Sequence, residues 1–163
     1  MSDALLELME EADCLVLPND PGAFLIDAKG TPSSGSASCA ADVDRWVFVY
    51  AHKDNEPIVL IDHADGAFDA PHTTTEHPFG VFIEPLPRTM GLERAIALLR
   101  EAAFDEPFAA VSVFRRLFPL NSEPAYLFTF PRKPFVFVGI ETGTVTQASD
   151  SGRTGPDSLT LDP

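Results

Sequence analysis

The chain is poor in positive charge. Its 163 residues carry 11 Lys and Arg against 25 Asp and Glu, a formal net charge of −14. A surface of that sign repels phosphate backbones and anionic lipid, which argues against direct nucleic-acid or membrane binding. Cysteine is scarce too. Cys14 and Cys39 form no C-x-x-C pair, so neither a zinc ribbon nor a thioredoxin-type motif is written here. Cys14 reads as a small core hydrophobe and Cys39 as a loop residue. No apolar run approaches the ~20 residues that span a bilayer. The opening "MSDALLELMEEADC" has acids where an export signal has bases. These features lead us to expect a soluble, cytoplasmic protein.

Catalytic signatures are missing as well. Ser34, Ser36 and Ser38 lie in a Gly/Ser-rich stretch with no G-x-S-x-G elbow. "GTPSSGSAS" lacks the Lys of a phosphate-binding loop. Glu10 and Glu11 point to different faces of one helix and cannot flank a single bond. Cys14 sits beside acids, which disfavour the thiolate. We therefore expect no enzyme and no cofactor.

What is present is a foldable core pattern. Hydrophobic residues make up 45% of the chain, and 13 Phe are the expected bulk of the core. Leu5, Met9 and Ala12 recur at helical spacing with acids opposite, predicting an amphipathic helix with Ser2 as its N-cap, stopped by Pro18. "AFLID" (23–27) predicts a short strand and "KGTPSSGSASCA" (29–40) a flexible loop. "RWVFVY" (45–50) predicts a strand apolar on both faces. "IVLID" (58–62) predicts another, followed by a hairpin turn at Asp65-Gly66. A further strand is expected around 79–84. A second helix follows, on the stripe Leu92, Ala95, Ile96, Leu99, with Thr89 as its cap. Phe108, Val111, Phe114, Leu117 and Phe118 suggest a third helix, and "AYLFTF" (125–130) and "FVFVGIETGTV" (135–145) a closing hairpin.

Two stretches share one grammar. "IVLIDHADGAF" (58–68) lies over "FVFVGIETGTV" (135–145) without a gap, Gly66 meeting Gly143. Upstream, Trp46, Phe48 and Tyr50 lie over Tyr126, Phe128 and Phe130. Met9-Glu10-Glu11-Ala12 matches Leu99-Arg100-Glu101-Ala102, and the offsets differ only by the lengths of intervening loops, as a structural duplication predicts. The expected fold is α+β: a tandem pseudo-repeat of helix plus antiparallel β-hairpin units, with the helices packed on one face of the sheet. Residues 1–163 would make one domain of two pseudo-repeats, about 3–85 and 89–147, with a tail over 148–163 that carries the apolar island "LTL".

"LERAIALLREA", "PAYLFTF" and "FVFVGIETGTV" together resemble the PepSY-type unit, in which a helix precedes an antiparallel hairpin ending in a TG or DG turn. Gly139 stands where that unit has an acid before the turn. The tandem arrangement is similar to the β-lactamase-inhibitor-protein class. The resemblance implies a non-enzymatic binding or inhibitory module.

Three site candidates follow from the residues. Trp46, Tyr50 and Tyr126, from the aromatic ladders, and Asp62 and Asp65, at the first hairpin, are candidate binding residues. Aromatics of this kind favour interfaces, and ladders can also line a small-ligand pocket. His63, Asp69, His72 and His77, within the cluster 62–77, are the candidate ligands of a metal site, since His and carboxylate bind zinc. No H-E-x-x-H or calcium-loop spacing accompanies them. The leading expectation is a small acidic, non-enzymatic interaction protein of immunity or inhibitor type with a basic protein partner. A homodimer is the other assembly left open. The alternative is a metal-binding protein or metal-dependent enzyme built on 62–77.

Overall fold

The computed structural model describes residues 3–54, 58–78, 80–117 and 122–148. These form an α+β fold of two helices and a nine-stranded antiparallel sheet. In chain order the elements are α1 (Ala4–Val16), β1 (Phe24–Thr31), β2 (Arg45–Ala51), β3 (Ile58–Ala64), β4 (Ala67–Phe68), β5 (His72–Thr74), α2 (Leu92–Glu101), β6 (Ala110–Arg115), β7 (Pro124–Thr129), β8 (Val136–Gly139) and β9 (Val145–Gln147). The strands run β4-β3-β2-β1-β6-β7-β8-β9 across the sheet, and β5 also pairs with β3. The expected "LTL" island lies outside the described residues.

Helix α1 buries Leu5, Met9, Ala12 and Val16, and α2 buries Leu92, Ala95, Ile96 and Leu99, the stripes that helical spacing predicts. Their caps differ from expectation. The N-cap of α1 is Asp3, not Ser2, and that of α2 is Gly91, not Thr89. Gly91 has no side chain to offer, and Asp3 serves both ends. Its Oδ1 accepts from the N–H of Leu5 at 3.0 Å and of Leu6 at 3.4 Å. Its Oδ2 accepts from the N–H of Glu93 at 3.0 Å. One carboxylate thus meets the positive ends of two helices. Gly91 is required by this arrangement: a Cβ there would lie 2.1 Å from Asp3 Oδ2.

The segment expected to be a third helix is strand β6. Phe108, Val111, Phe114 and Leu117 are spaced by three, which suits a helix. The strand instead turns Val111 and Val113 into the main core and Phe114 toward the opposite side. Its partners decide the matter: β6 pairs with β1 from Asp27↔Phe114 to Gly30↔Val111, and with β7 on its other edge. Strand β1 is longer than "AFLID" for the same reason. It continues through Gly30, where a Cβ would come within 2.7 Å of the Trp46 ring, so glycine lets the indole cover the strand.

The Gly/Ser stretch that follows is tethered rather than flexible. Ala37 is fully buried and exchanges backbone hydrogen bonds with Phe108 at 2.8 and 2.9 Å. Ser33 bonds to Asp44, and Arg100 of α2 donates to Ser38 O at 3.0 Å. The strand expected around 79–84 is only a single bridge, Val81↔Arg116. The hairpin turn at Asp65-Gly66 forms with positive φ at both residues, 54° and 77°. Above Gly139, where the PepSY-type unit has an acid, sits the Glu123 carboxylate, accepting from the N–H of Glu141 at 2.8 Å and of Thr142 at 3.0 Å.

One buried cluster joins the apolar stripes of both helices to Ala28, Phe48, Ile61, Val113, Phe128 and Val138 of the sheet. A smaller one, on the other side of β1–β3, holds Ile26, Val49, Ala51, Ile58 and Val81. Aliphatic side chains fill most of this core. Among the described residues only Phe48, Phe108, Phe128 and Phe130 of the phenylalanines are buried, and Phe135 is 49% exposed. Cys14 is exposed, not a core residue: it falls on the outward side of α1.

Among the described residues one charged side chain is fully buried. Asp27 is fully buried beside a register shift in β1, with neither carboxylate oxygen hydrogen-bonded and Lys29 Nζ at 3.7 Å. Burial raises its pKa from 3.8 to about 6, against the lowering pull of Lys29. Between those values the folded chain holds a proton that the unfolded chain has released. The contribution of Asp27 to stability therefore falls as pH rises through this window and is smallest above about pH 6.

Two outcomes are expected. Asp3→Ala should cost about 2 kcal/mol in urea unfolding, because two caps are lost. Asp3→Asn, which keeps one acceptor oxygen, should cost less, and Gly91→Ala should resemble Asp3→Ala. Relative to wild type, Asp27→Asn should gain stability at pH 6 over pH 4 by about 2 kcal/mol, which denaturant curves of both proteins at both pH values can measure.

Candidate interaction surface

The aromatic candidates are core residues. Trp46 is buried, stacks on Phe48 at 6.1 Å and donates from Nε1 to Val43 O at 3.2 Å. Tyr50 is fully buried, and its hydroxyl donates to Asp13 Oδ1 at 2.7 Å. The other oxygen of Asp13 meets Arg88 at 2.7 Å, so this triad ties α1 to β2 and to the segment leading into α2. Burial, then the bond and charge of Asp13, push the Tyr50 phenol well above its ordinary value. Burial works against the Arg88 charge, but the Asp13 bond together with the charges of Asp13, Tyr50 and Glu10 outweighs it and raises that pKa. Tyr126 is buried and donates to Met90 O at 2.8 Å; burial, then the charge of Asp3, drive its pKa upward. Both phenols act as internal ties.

The polar cluster is spread along a hairpin and an edge strand. Asp62 is half-buried opposite Val47, and its carbonyl accepts from the Asp69 N–H at 2.8 Å. Asp65 is exposed in the turn, and Asp69 and His77 are exposed. His63 lies opposite Trp46 and meets the Phe68 ring edge-on at 4.7 Å, whereas His72 lies opposite Leu60. Leu60 and His63 are three apart on β3, so the period of two places the two histidines on opposite faces of the sheet. Among the described residues no group of three His, Cys, Asp or Glu is gathered in a geometry that could hold a metal ion. No described helix is long and apolar enough to cross a membrane.

A different surface gathers charge. The outward face of α1 exposes Glu7, Glu10 and Glu11, none of them in an ion pair among the described residues. Several cations are engaged elsewhere: Arg94 by Glu101, Arg115 by Glu84, Lys133 by Glu106, and Arg116 over the Phe137 ring at 3.9 Å. Along this face runs a broad open depression of about 530 Å³, bounded by the three glutamates, Cys14 and Leu15. Leu15, 42% exposed, is also the near wall of a second, tighter groove of about 220 Å³ between the end of α1 and strand β5. Asp20 lines that groove, its Oδ1 2.7 Å from His52 Nε2 in a close contact not aligned as a hydrogen bond.

Acids at Glu7, Glu10 and Glu11 were visible in the sequence as the polar side of α1. The groove was not, because Leu15, Asp20 and the β5 strand are joined only by the fold. The chain matches no protein-family model, no curated protein and no solved structure.

Proposed function

We propose that this protein is a small acidic, non-enzymatic interaction module of immunity or inhibitor type, which binds a basic protein partner through the outward face of α1. The observation that carries this reading is the unpaired row Glu7, Glu10, Glu11 beside the exposed Leu15. Carboxylates without an ion-pair partner steer a cationic partner, and an exposed apolar side chain beside them gives the contact something to desolvate. An acidic face pays no internal pairing cost here, since its helix contributes its other side to the core.

We further read the scaffold as the tandem pseudo-repeat that the sequence suggests, helices on one face. Each helix is followed by strands in the same order, β1-β2-β3-β4 and β6-β7-β8-β9, laid outward from the β1–β6 pair. Trp46, Phe48 and Tyr50 of β2, and Tyr126 and Phe128 of β7 with Phe130 just beyond it, enter the same cluster, as the alignment of the two halves requires. Gly66 and Gly143 both take positive φ. This arrangement supports a binding role resembling that of the tandem inhibitor class.

Capture from native lysate at low salt, compared between wild type and the triple variant Glu7→Gln, Glu10→Gln, Glu11→Gln, tests the reading. One dominant basic partner should be retained by the wild type, released by moderate salt and lost by the variant, whose circular dichroism should be unchanged. A partner held equally by both proteins removes the assignment to α1.

A further inference from the structure

The groove at the end of α1 has a chemistry that the helix face alone lacks. Its base is apolar: Val16 and Val59 belong to the core, and Leu15 and Pro71 stand at its sides. Its polar side holds Asn19, Asp20, His72 and Thr73. The Asn19 N–H goes to Val16 O at 3.3 Å, which leaves the Leu15 carbonyl without its helical donor. The last turn of α1 carries no basic residue to offset the negative end of the helix. Asp20 adds a full charge: its side chain is 25% exposed, and beyond the His52 contact at Oδ1 no described donor engages it. At about 220 Å³ the groove is smaller than the roughly 300–1,000 Å³ of small-molecule sites and suits a single side chain.

We infer that this groove receives one arginine side chain of the basic partner, its methylenes over Leu15 and Pro71 and its guanidinium between Asp20 and the free Leu15 carbonyl at the end of α1. A planar fork with five donors can satisfy a carboxylate and a separate carbonyl together, which an ammonium does less well. The inference rests on the proposed function, because it names the anchor that the acidic face would guide into place.

The test is an NMR titration of the full chain with N-acetyl-arginine methylamide and with its neutral isostere N-acetyl-citrulline methylamide. The arginine probe should shift the amides of Val16, Asn19 and Thr73, and bind roughly fivefold tighter than the citrulline probe. Asp20→Asn should erase that difference. Thr73→Trp, at an exposed position of β5 lining the groove, should abolish both interactions by filling it. Equal binding of the two probes, shifts elsewhere on the protein, or arginine binding that survives Thr73→Trp would overturn the inference. Those results leave the α1 reading intact if the triple glutamate variant still loses the partner, so the two failures are distinguishable.

Discussion

Strand β1 meets β6 in the middle of the sheet, antiparallel from Asp27↔Phe114 to Gly30↔Val111, and that pairing is the constraint from which the rest of the architecture follows. It joins the strands that follow α1 to those that follow α2, so nine strands share one sheet. It brings the two helix N-termini near enough for one aspartate to cap both. It also places a carboxylate, Asp27, where it can be neither hydrated nor fully paired. An antiparallel pair built from two sequentially distant strands closes a long loop before any of its bonds form. The tethers of the loop after β1, to Phe108 and Arg100, hold the two sides of that seam together.

With the seam in place, the use of α1 is set. One side of the helix is consumed by the core through Leu5, Met9, Ala12 and Val16, and its C-terminal end is fixed by the Asp13 contacts to Tyr50 and Arg88. The opposite side is left with three glutamates that form no ion pair among the described residues, although the charge of Arg88 acts on Glu10. The helix end is left with the Cys14 carbonyl, which Pro18 cannot satisfy, and the Leu15 carbonyl, whose donor turns to Val16 O. These are two negative features on one element, contiguous through Leu15. The polar hairpin at 62–69 has acids too, but they surround a turn.

Local signals explain what was readable. The stripes of α1 and α2 and the alternation of β2 were legible because both periods are written in neighbouring residues. The Asp65-Gly66 turn was legible because its positive φ demands such residues. Strand β6 was misread because Phe108, Val111, Phe114 and Leu117 satisfy a helical period locally, and only pairing with β1 and β7 selects the strand. The shared Asp3 cap depends on a residue 90 positions from its second donor. Asp27 looks like an ordinary strand-end acid in "FLID", and no local pattern marks it as buried. The acidic face was visible as composition, whereas the groove beside it exists only once β5 lies against the end of α1.

The central claim is that cationic partners meet this protein at α1. Zero-length carbodiimide cross-linking of the full chain to an oligolysine peptide, mapped by mass spectrometry, measures this directly. The account predicts cross-links concentrated at Glu7, Glu10, Glu11 and Asp20. Cross-links concentrated at Asp62, Asp65 and Asp69, or spread evenly over the exposed carboxylates, would contradict it.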